Sequence, residues 1–197
     1  MSKPTSAQFT QLLDHSVAAI ESARSLSNNV LQASTLMAES LEAGGKILVC
    51  GNGGSAADGL HFSGELLNKF YRVRRPLASI CLAADVSTLT SIGNDESYDQ
   101  VFAKQVEALG KKEDVLVAIT TSGQSPSILN AVKSAHQENI RVVTLNGRDG
   151  GKLSPMLNAH DIDIVVPQNE TARIQEVHGI IIHAFCQFID QHLFGEL

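Results

Sequence analysis

Apolar residues along the chain follow two alternating periods. Helical spacing in residues 9–41 predicts two helices, or one kinked helix, which Gly44-Gly45 ends. Beyond this point, short apolar runs predict strands buried on both faces, and segments with helical spacing separate them. The predicted strands are residues 47–50, 78–83, 115–119, 141–145 and 161–166, and the predicted helices begin at 56–58 and cover 86–92, 98–109, 127–139 and 171–194.

This alternation predicts a doubly wound α/β fold. Strands that alternate with helices form parallel β-α-β units, and such sheets bind ligands at the carboxyl ends of their strands. The length of 197 residues favours a single domain over residues 1–197. Residues 1–43 then form an N-terminal helical extension that packs on the core or on a neighbouring subunit.

Two polar loops follow predicted strands and precede predicted helices. The first is Gly51-Asn52-Gly53-Gly54-Ser55, in which Ser55 is a candidate N-cap for the next helix. The second, residues 120–125, carries four hydroxyls and a glycine, and Pro126 suits the first turn of its helix. Free N–H groups and the helix dipole make such positions anion sites, and for the second loop an ordinary N-capping loop is the alternative to phosphate binding.

Several side chains with acid/base or metal-ligand chemistry lie on the predicted helices. His61 and Glu65, four residues apart, share one helix face just beyond the first loop. His183 and Gln175 are eight residues apart on the last helix, about 12 Å along its axis. His178 points well away from His183 on that helix. The alternative to a functional role is a surface pair for His61 and Glu65 and a position in the core for His183.

Composition excludes some classes of function. The net charge of −6 and 5% aromatic content disfavour a dedicated nucleic-acid binder. No apolar run is long enough for a membrane span, and the N-terminal residues lack the apolar region of a signal peptide. Three isolated cysteines in apolar segments indicate reduced core residues, so we expect a cytoplasmic protein without a membrane partner.

Four separated segments together resemble one known family. CGNGGSAADGLHFSGEL, SIGNDESYDQVFAKQVEALG, DVLVAITTSGQS and TARIQEVHGIIIH are similar to the sedoheptulose 7-phosphate isomerases, or phosphoheptose isomerases, of the sugar isomerase (SIS) domain superfamily. The resemblance implies a Rossmann-like sheet and a homotetramer with sites at subunit interfaces. It also implies conversion of D-sedoheptulose 7-phosphate to D-glycero-D-manno-heptose 7-phosphate, the first step toward the heptose of lipopolysaccharide.

The resemblance also implies a set of site residues. One Zn²⁺ per subunit would be held by the residues matching the family's ligands, which are His61, Glu65, Gln175 and His183. Contacts to the sugar phosphate would come from Asn52, Gly53, Gly54, Ser55, Glu65, Asn94, Asp95, Thr120, Thr121, Ser122, Ser125 and Gln175. Asp95 lies in a polar segment, where capping the next helix is the alternative to binding a sugar hydroxyl.

A ketose-to-aldose isomerisation through an enediol needs a base at C1, an acid or proton relay at the C2 oxygen, and stabilisation of the developing oxyanion. Our hypothesis gives Glu65 the first role and His183 the second. The two roles of Glu65 conflict, because a tight zinc ligand is a poorer base.

Two differences from the family and two alternative functions remain at this point. The family's serine loop usually reads STSGNS, where this chain has Thr120 and Gln124. Threonine keeps the hydroxyl, whereas Gln124 is longer by one methylene.

The first alternative function is that of a related non-catalytic group that binds the replication initiator protein and typically lacks the residues matching Glu65 and His183. The second is a silent sugar-phosphate sensor.

Overall fold

A computed structural model describes residues 3–196 of the chain. Seven α-helices and five strands occur in this part, together with short 3₁₀ turns. In chain order they are α1 (Ser6–Ser22), α2 (Ser27–Glu42), β1 (Ile47–Gly51), α3 (Gly54–Leu67), β2 (Ser79–Cys81), α4 (Val86–Asp95), α5 (Ala103–Leu109), β3 (Val115–Ile119), α6 (Pro126–Gln137), β4 (Arg141–Gly147), β5 (Ile162–Val166) and α7 (Thr171–Phe194).

The five strands form one all-parallel sheet in the order β2-β1-β3-β4-β5. The predicted doubly wound α/β fold is therefore confirmed. Chain order reverses between β1 and β3, where Gly51 pairs with Ile119. This pairing brings the ends of β1 and β3 side by side, at the position where doubly wound sheets bind their ligands.

Both faces of the sheet are covered by helices. In β1, Ile47 and Val49 join one apolar cluster with α2, α3 and α7, while Leu48 and Cys50 join another with α5 and α6. Alternate side chains thus enter opposite cores, which explains why the strands are continuous apolar runs. Cys50, Cys81 and Cys186 are all buried and free of disulfides.

The N-terminal helices differ in how they are buried. A 3₁₀ turn joins α1 to α2, so the segment is close to the predicted kinked helix, and Gly44, with φ +85°, follows its end. Helix α2 packs on the sheet, since Met37 and Ala38 are fully buried. In α1, by contrast, the apolar stripe is largely exposed, and only Ala19 is buried.

Four local predictions were wrong in their bounds. Helix α3 begins at Gly54, with Gly53 as its N-cap and Ser55 inside the helix. Strand β2 is only three residues long and lies at the sheet edge, where it pairs with β1 alone. Helix α4 continues to Asp95 instead of ending in a polar turn, because Glu96 N–H still bonds to the Ile92 carbonyl. The helix predicted over 98–109 is a 3₁₀ turn followed by α5.

Candidate active site

A polar cavity of about 200 Å³ lies at the carboxyl edge of the sheet, between the loops that follow β1 and β3. Both loops contribute, as the order of the strands requires. The first turn of α7 closes the third side. The lining residues are Asn52, Ser55, Ile119, Thr120, Thr121, Ser122, Ser125, Thr171 and Gln175.

The first loop brings backbone N–H groups to this cavity. Because Gly53 caps α3 without any side-chain hydrogen bond, the first N–H groups of the helix have no side-chain cap. Gly54 faces Gln175 so closely that a Cβ atom on it would lie 2.2 Å from the Gln175 Nε2. A larger residue at this position would displace the Gln175 side chain, and the close contact places the Gln175 amide beside the start of α3.

The second loop is folded around its own hydroxyls. The Thr120 Oγ1 accepts from the N–H groups of Ser122 and Gly123, at 3.4 and 3.3 Å. Ser125 is the N-cap of α6 but its side chain makes no capping bond, and Pro126 begins the helix as predicted. Hydroxyls of Thr121, Ser122 and Ser125 therefore lie at a helix N-terminus, which is suitable chemistry for an anion.

A larger and more open cleft, of about 470 Å³, adjoins Ser122 and includes Gln124 and Arg148. It contains no residue of α3 or α7. The smaller cavity is the stronger candidate because both polar loops and the N-termini of α3, α6 and α7 meet there.

A second group of polar side chains lies further along α3 and α7. The His61 Nε2 and the Glu65 Oε1 are 3.4 Å apart on α3. On α7, His183 places its ring centroid 5.1 Å from that of His61, edge to face, and stacks on Phe70 at 5.6 Å. The predicted association of His61, Glu65 and His183 thus involves two helices packed side by side.

The donor types in this second group suit zinc, which binds imidazole nitrogen and carboxylate oxygen. Between residues 3 and 196, however, no group of three or more His, Cys, Asp and Glu side chains is arranged to hold a metal ion. His61 and His183 are both exposed, so their rings have room to turn toward a common point.

The cavity and the second group are separated along α7. Helices α3 and α7 lie side by side and run in the same direction. Gly54 contacts Gln175 near their N-termini, and His61 contacts His183 further along. Eight residues of helix correspond to about 12 Å, so Gln175 lies at the cavity end and His183 at the other. One extended ligand could contact both ends.

Comparison with known proteins places the chain in a family. The SIS domain family matches residues 9–147, which is more than half of the chain. A phosphoheptose isomerase from Alkalilimnicola ehrlichii is 55% identical over 170 residues, 86% of this chain and 87% of that protein. Another, from Chromohalobacter salexigens, is 48% identical over 191 residues, 94% of this chain and 96% of that protein.

The chain belongs to the phosphoheptose isomerase family of SIS domain proteins.

Solved structures of this family agree in fold. A phosphoheptose isomerase from Neisseria gonorrhoeae is 46% identical, with a TM-score of 0.90, over 94% of this chain and 98% of that chain. One from Francisella tularensis is 44% identical, with a TM-score of 0.92, over 96% of this chain and all of that chain (100%). The predicted resemblance is confirmed.

Five of the twelve contact residues expected from the resemblance do not line the cavity in this phosphoheptose isomerase family member, namely Gly53, Gly54, Glu65, Asn94 and Asp95. Asn94 and Asp95 are exposed at the end of α4, where the Asn94 amide donates to the Asp95 carboxylate at 2.8 Å. They are not among the residues that line the cavity within the protomer. Neither caps the following 3₁₀ turn, whose N-cap is Ser97.

Sequence analysis missed four residues near the site, which are Tyr98, Ser127, Thr171 and Asp58. The Asn52 amide donates to Ser127 Oγ at 3.0 Å, and its carbonyl oxygen accepts from the Tyr98 hydroxyl at 2.8 Å. Thr171 lines the cavity from α7. Asp58 shares a helix face with Gly54 and could have been found from that spacing.

The Asp58 side chain is half-buried close to His61. One of its oxygens, Oδ2, is buried without a hydrogen-bond partner among the described residues. Burial raises the pKa of this carboxyl, and the nearby His61 opposes the shift. A partly desolvated carboxyl next to a predicted acid/base pair belongs to the site's electrostatics.

His178 faces away from His183, as its position on the helix predicted. It is completely buried, and its Nε2 lies 3.0 Å from the Asn146 carbonyl oxygen. Burial lowers the pKa of His178 to about 4, while the bond to Asn146 acts in the opposite direction. The imidazole is therefore neutral at physiological pH.

This burial predicts a loss of stability in mild acid. Between pH 6.5 and about 4 the unfolded chain binds a proton at His178 that the folded protein does not, so the free energy of unfolding falls as pH drops. The shift corresponds to about 3 kcal/mol. Urea unfolding from pH 7.5 to 4 should show a fall smaller by about this amount in His178→Gln, and identical pH profiles would contradict it.

Proposed function

We propose that this protein converts D-sedoheptulose 7-phosphate to D-glycero-D-manno-heptose 7-phosphate, the first step toward the heptose of lipopolysaccharide. The observation that carries the proposal is the alignment along α3 and α7 of a hydroxyl-lined cavity with the group formed by His61, Glu65 and His183. It occurs in a chain whose relatives are phosphoheptose isomerases.

In this proposal the cavity holds the phosphate end of the substrate. Thr121, Ser122 and Ser125 supply hydroxyls, and the N-terminus of α6 supplies backbone N–H groups. Asn52 and the backbone of Gly53 and Gly54 contact the sugar. Fixing the phosphate holds the reacting carbons in place, which lowers the entropic part of the barrier.

The other end of the substrate reaches Glu65 and His183. Glu65 removes a proton from C1, and His183 handles proton exchange at the C2 side of the enediol. Positioned acid/base groups of this kind are worth about 10²–10⁴-fold in rate. Phe70 stacks on the His183 ring, with the two ring centroids 5.6 Å apart.

We further propose one Zn²⁺ per subunit, held by His61, Glu65 and His183 with Gln175 as the fourth ligand. The support for this is the donor chemistry of two imidazoles and a carboxylate on adjacent helices. Bound zinc would supply Lewis-acid stabilisation of the developing oxyanion. Gln175 would have to leave its place beside Gly54 to take part.

Removal of metal should be measurable without any activity assay. We expect a chelator to lower the melting temperature of the purified protein, because a ligand bound only to the folded state stabilises it. Zinc should restore the original value, whereas His61→Ala should respond to neither reagent. A melting temperature that chelator and zinc leave unchanged would argue against the metal.

A homotetramer is part of the same proposal. The exposed stripe of α1 includes Phe9, Leu12, Leu13 and Val17, and Leu31 and Ile180 border a nearby apolar groove of about 410 Å³. Contiguous exposed apolar surface of this kind marks a protein interface, and the resemblance gives a second copy of the chain as the occupant.

Val17 offers a test of this surface, because its side chain is 59% exposed on α1. Val17→Asp should reduce the assembled mass measured by analytical ultracentrifugation, since the charge would be desolvated in the interface. Gln137→Asp, at the exposed end of α6, adds the same single charge and is the control. An unchanged tetramer in Val17→Asp, or a monomeric wild-type protein, would contradict the proposal.

Two other functions are separable by experiment. The proposed enzyme should produce the aldose from sedoheptulose 7-phosphate, with or without added zinc. Binding of the ketose without turnover would favour a sensor, and capture of a replication initiator protein would favour the non-catalytic relative. The presence of both Glu65 and His183 beside His61 supports the enzyme.

We expect this function to be cytoplasmic and to involve neither nucleic acid nor a membrane. Free cysteines fit a reducing compartment. In the part of the chain that the structure describes, no helix combines the length and the apolar character needed to cross a membrane.

A further inference from the structure

The loop of residues 120–125 rests on a second loop that we call the support loop, residues 146–151. Gly123 touches the Gly150 carbonyl so closely that a Cβ atom on Gly123 would lie 2.0 Å from that oxygen. A Cβ atom on Gly147 would likewise lie 2.7 Å from the Thr121 carbonyl oxygen. Just beyond the support loop, the Leu153 N–H donates to the Gly123 carbonyl at 3.1 Å. The shape of the first loop therefore follows the shape of the second.

Asn146 determines the shape of the support loop. Its side chain is completely buried at the end of β4. The amide nitrogen donates to the Gly150 carbonyl at 2.9 Å, and the amide oxygen accepts from the Gly147 N–H at 2.9 Å. One side chain thus joins both ends of the turn, including the carbonyl that touches Gly123.

Asn146 is in turn held by His178 of α7. A carbonyl oxygen can only accept, so the His178 Nε2 carries the proton that it donates to the Asn146 carbonyl. The other ring nitrogen, Nδ1, is buried and has no hydrogen-bond partner among the described residues. An apolar side chain would avoid this cost of desolvation, so the bond to Asn146 is the one polar interaction that the ring gains there.

We propose that His178 and Asn146 are positioning residues, which hold the loop of residues 120–125 in the form that binds the substrate's phosphate. The inference rests on the proposed function in taking a phosphate as the ligand of that loop. Neither residue lines the cavity. Both act through the support loop, so their loss should weaken phosphate binding more than it slows the chemistry at Glu65.

Two substitutions of His178 separate its hydrogen bond from its presence in the core. The amide nitrogen of Gln reaches the place of the imidazole Nε2, whereas that of Asn reaches the place of Nδ1. His178→Gln should therefore keep the bond to Asn146, and His178→Asn should lose it. His136→Asn is the matched control, because the His136 Nε2 bonds to Asp161 at 2.7 Å and lies away from both loops.

The readouts are steady-state kinetics on sedoheptulose 7-phosphate and the rise in melting temperature caused by inorganic phosphate. We expect His178→Asn to raise KM by about 10- to 100-fold, with a smaller fall in kcat, since the phosphate-binding loop is misplaced while Glu65 and His183 are unchanged. The rise in melting temperature that phosphate causes should disappear in His178→Asn. It should persist in His178→Gln and in His136→Asn. Asn146→Ser should behave as His178→Asn does, and it replaces that variant if the latter fails to fold.

Unchanged KM and an unchanged phosphate response in His178→Asn would overturn the inference. So would equal damage by Gln and Asn, which indicates packing alone, or a fall in kcat at constant KM. If the wild-type protein shows no isomerase activity but its phosphate response depends on the Nε2 bond, the proposed function fails and the inference stands. Absence of any phosphate response in the wild-type protein would overturn the inference by itself.

Discussion

Glu65→Gln should lower kcat on sedoheptulose 7-phosphate by about 10³-fold, because the amide cannot accept the C1 proton. The fold should be retained, since the Glu65 side chain is part-exposed and its one ion pair among the described residues is with His61, at 3.4 Å. Steady-state kinetics measure the loss, and the phosphate-induced rise in melting temperature should be as in the wild-type protein.

Glu39→Gln is the matched control for this variant. Glu39 is an exposed carboxylate on α2, remote from the cavity, and its substitution should leave kcat unchanged. Near-normal turnover by Glu65→Gln would remove Glu65 from the role of base. Reduced turnover together with a lost response to phosphate would instead indicate a disturbed site.

Arg74→Met should lower the free energy of unfolding by about 3–5 kcal/mol, because it leaves the Asp190 carboxylate buried without its counter-charge. The Arg74 Nε donates to the Asp190 Oδ1 at 2.7 Å, and the two side chains are only 1% and 4% exposed. The same guanidinium donates to the backbone carbonyls of Glu65 and Leu66 at 2.9 and 2.8 Å. It therefore ties the end of α3 to α7.

Urea unfolding of three variants checks this expectation. Removing both charges in Arg74→Met/Asp190→Leu should recover a large part of the loss, since no buried charge then remains unpaired. Arg24→Met is the control, because Arg24 and Glu21 form an ion pair with side chains 78% and 57% exposed, and such pairs contribute little. Equal stability of Arg74→Met and the wild-type protein would contradict the account.

The periodicity of the sequence predicts the fold well for a physical reason. Strands buried on both faces must be continuous apolar runs, and β1 and β3 are such runs. The polar residues that follow each run therefore mark the positions of the two loops. The start of α3 was placed less well, because Ser55 is a good capping residue by type. In the structure Ser55 is buried inside the helix and Gly53, with φ +54°, takes the cap position.

The candidate site depends on contacts that sequence spacing does not reveal. Proximity of His61 and Glu65 follows from one helical turn, whereas proximity of His61 and His183 depends on how α3 packs on α7. The bonds of Asn52 to Ser127 and Tyr98 join segments far apart in sequence. No local motif predicts the bond between His178 and Asn146, because only the packed core brings these two residues together.

Isomerisation of sedoheptulose 7-phosphate in D₂O tests the central claim most directly. A base that moves a proton from C1 to C2 through an enediol exchanges it with solvent, so the aldose 7-phosphate should form with deuterium at C2. Mass spectrometry of the product measures how much deuterium it contains, and NMR shows whether the product is the aldose and carries the deuterium at C2. We expect the deuterated aldose from the wild-type protein and none above background from Glu65→Gln. Ketose that binds and is recovered unchanged, with no deuterium at C1, would contradict the account.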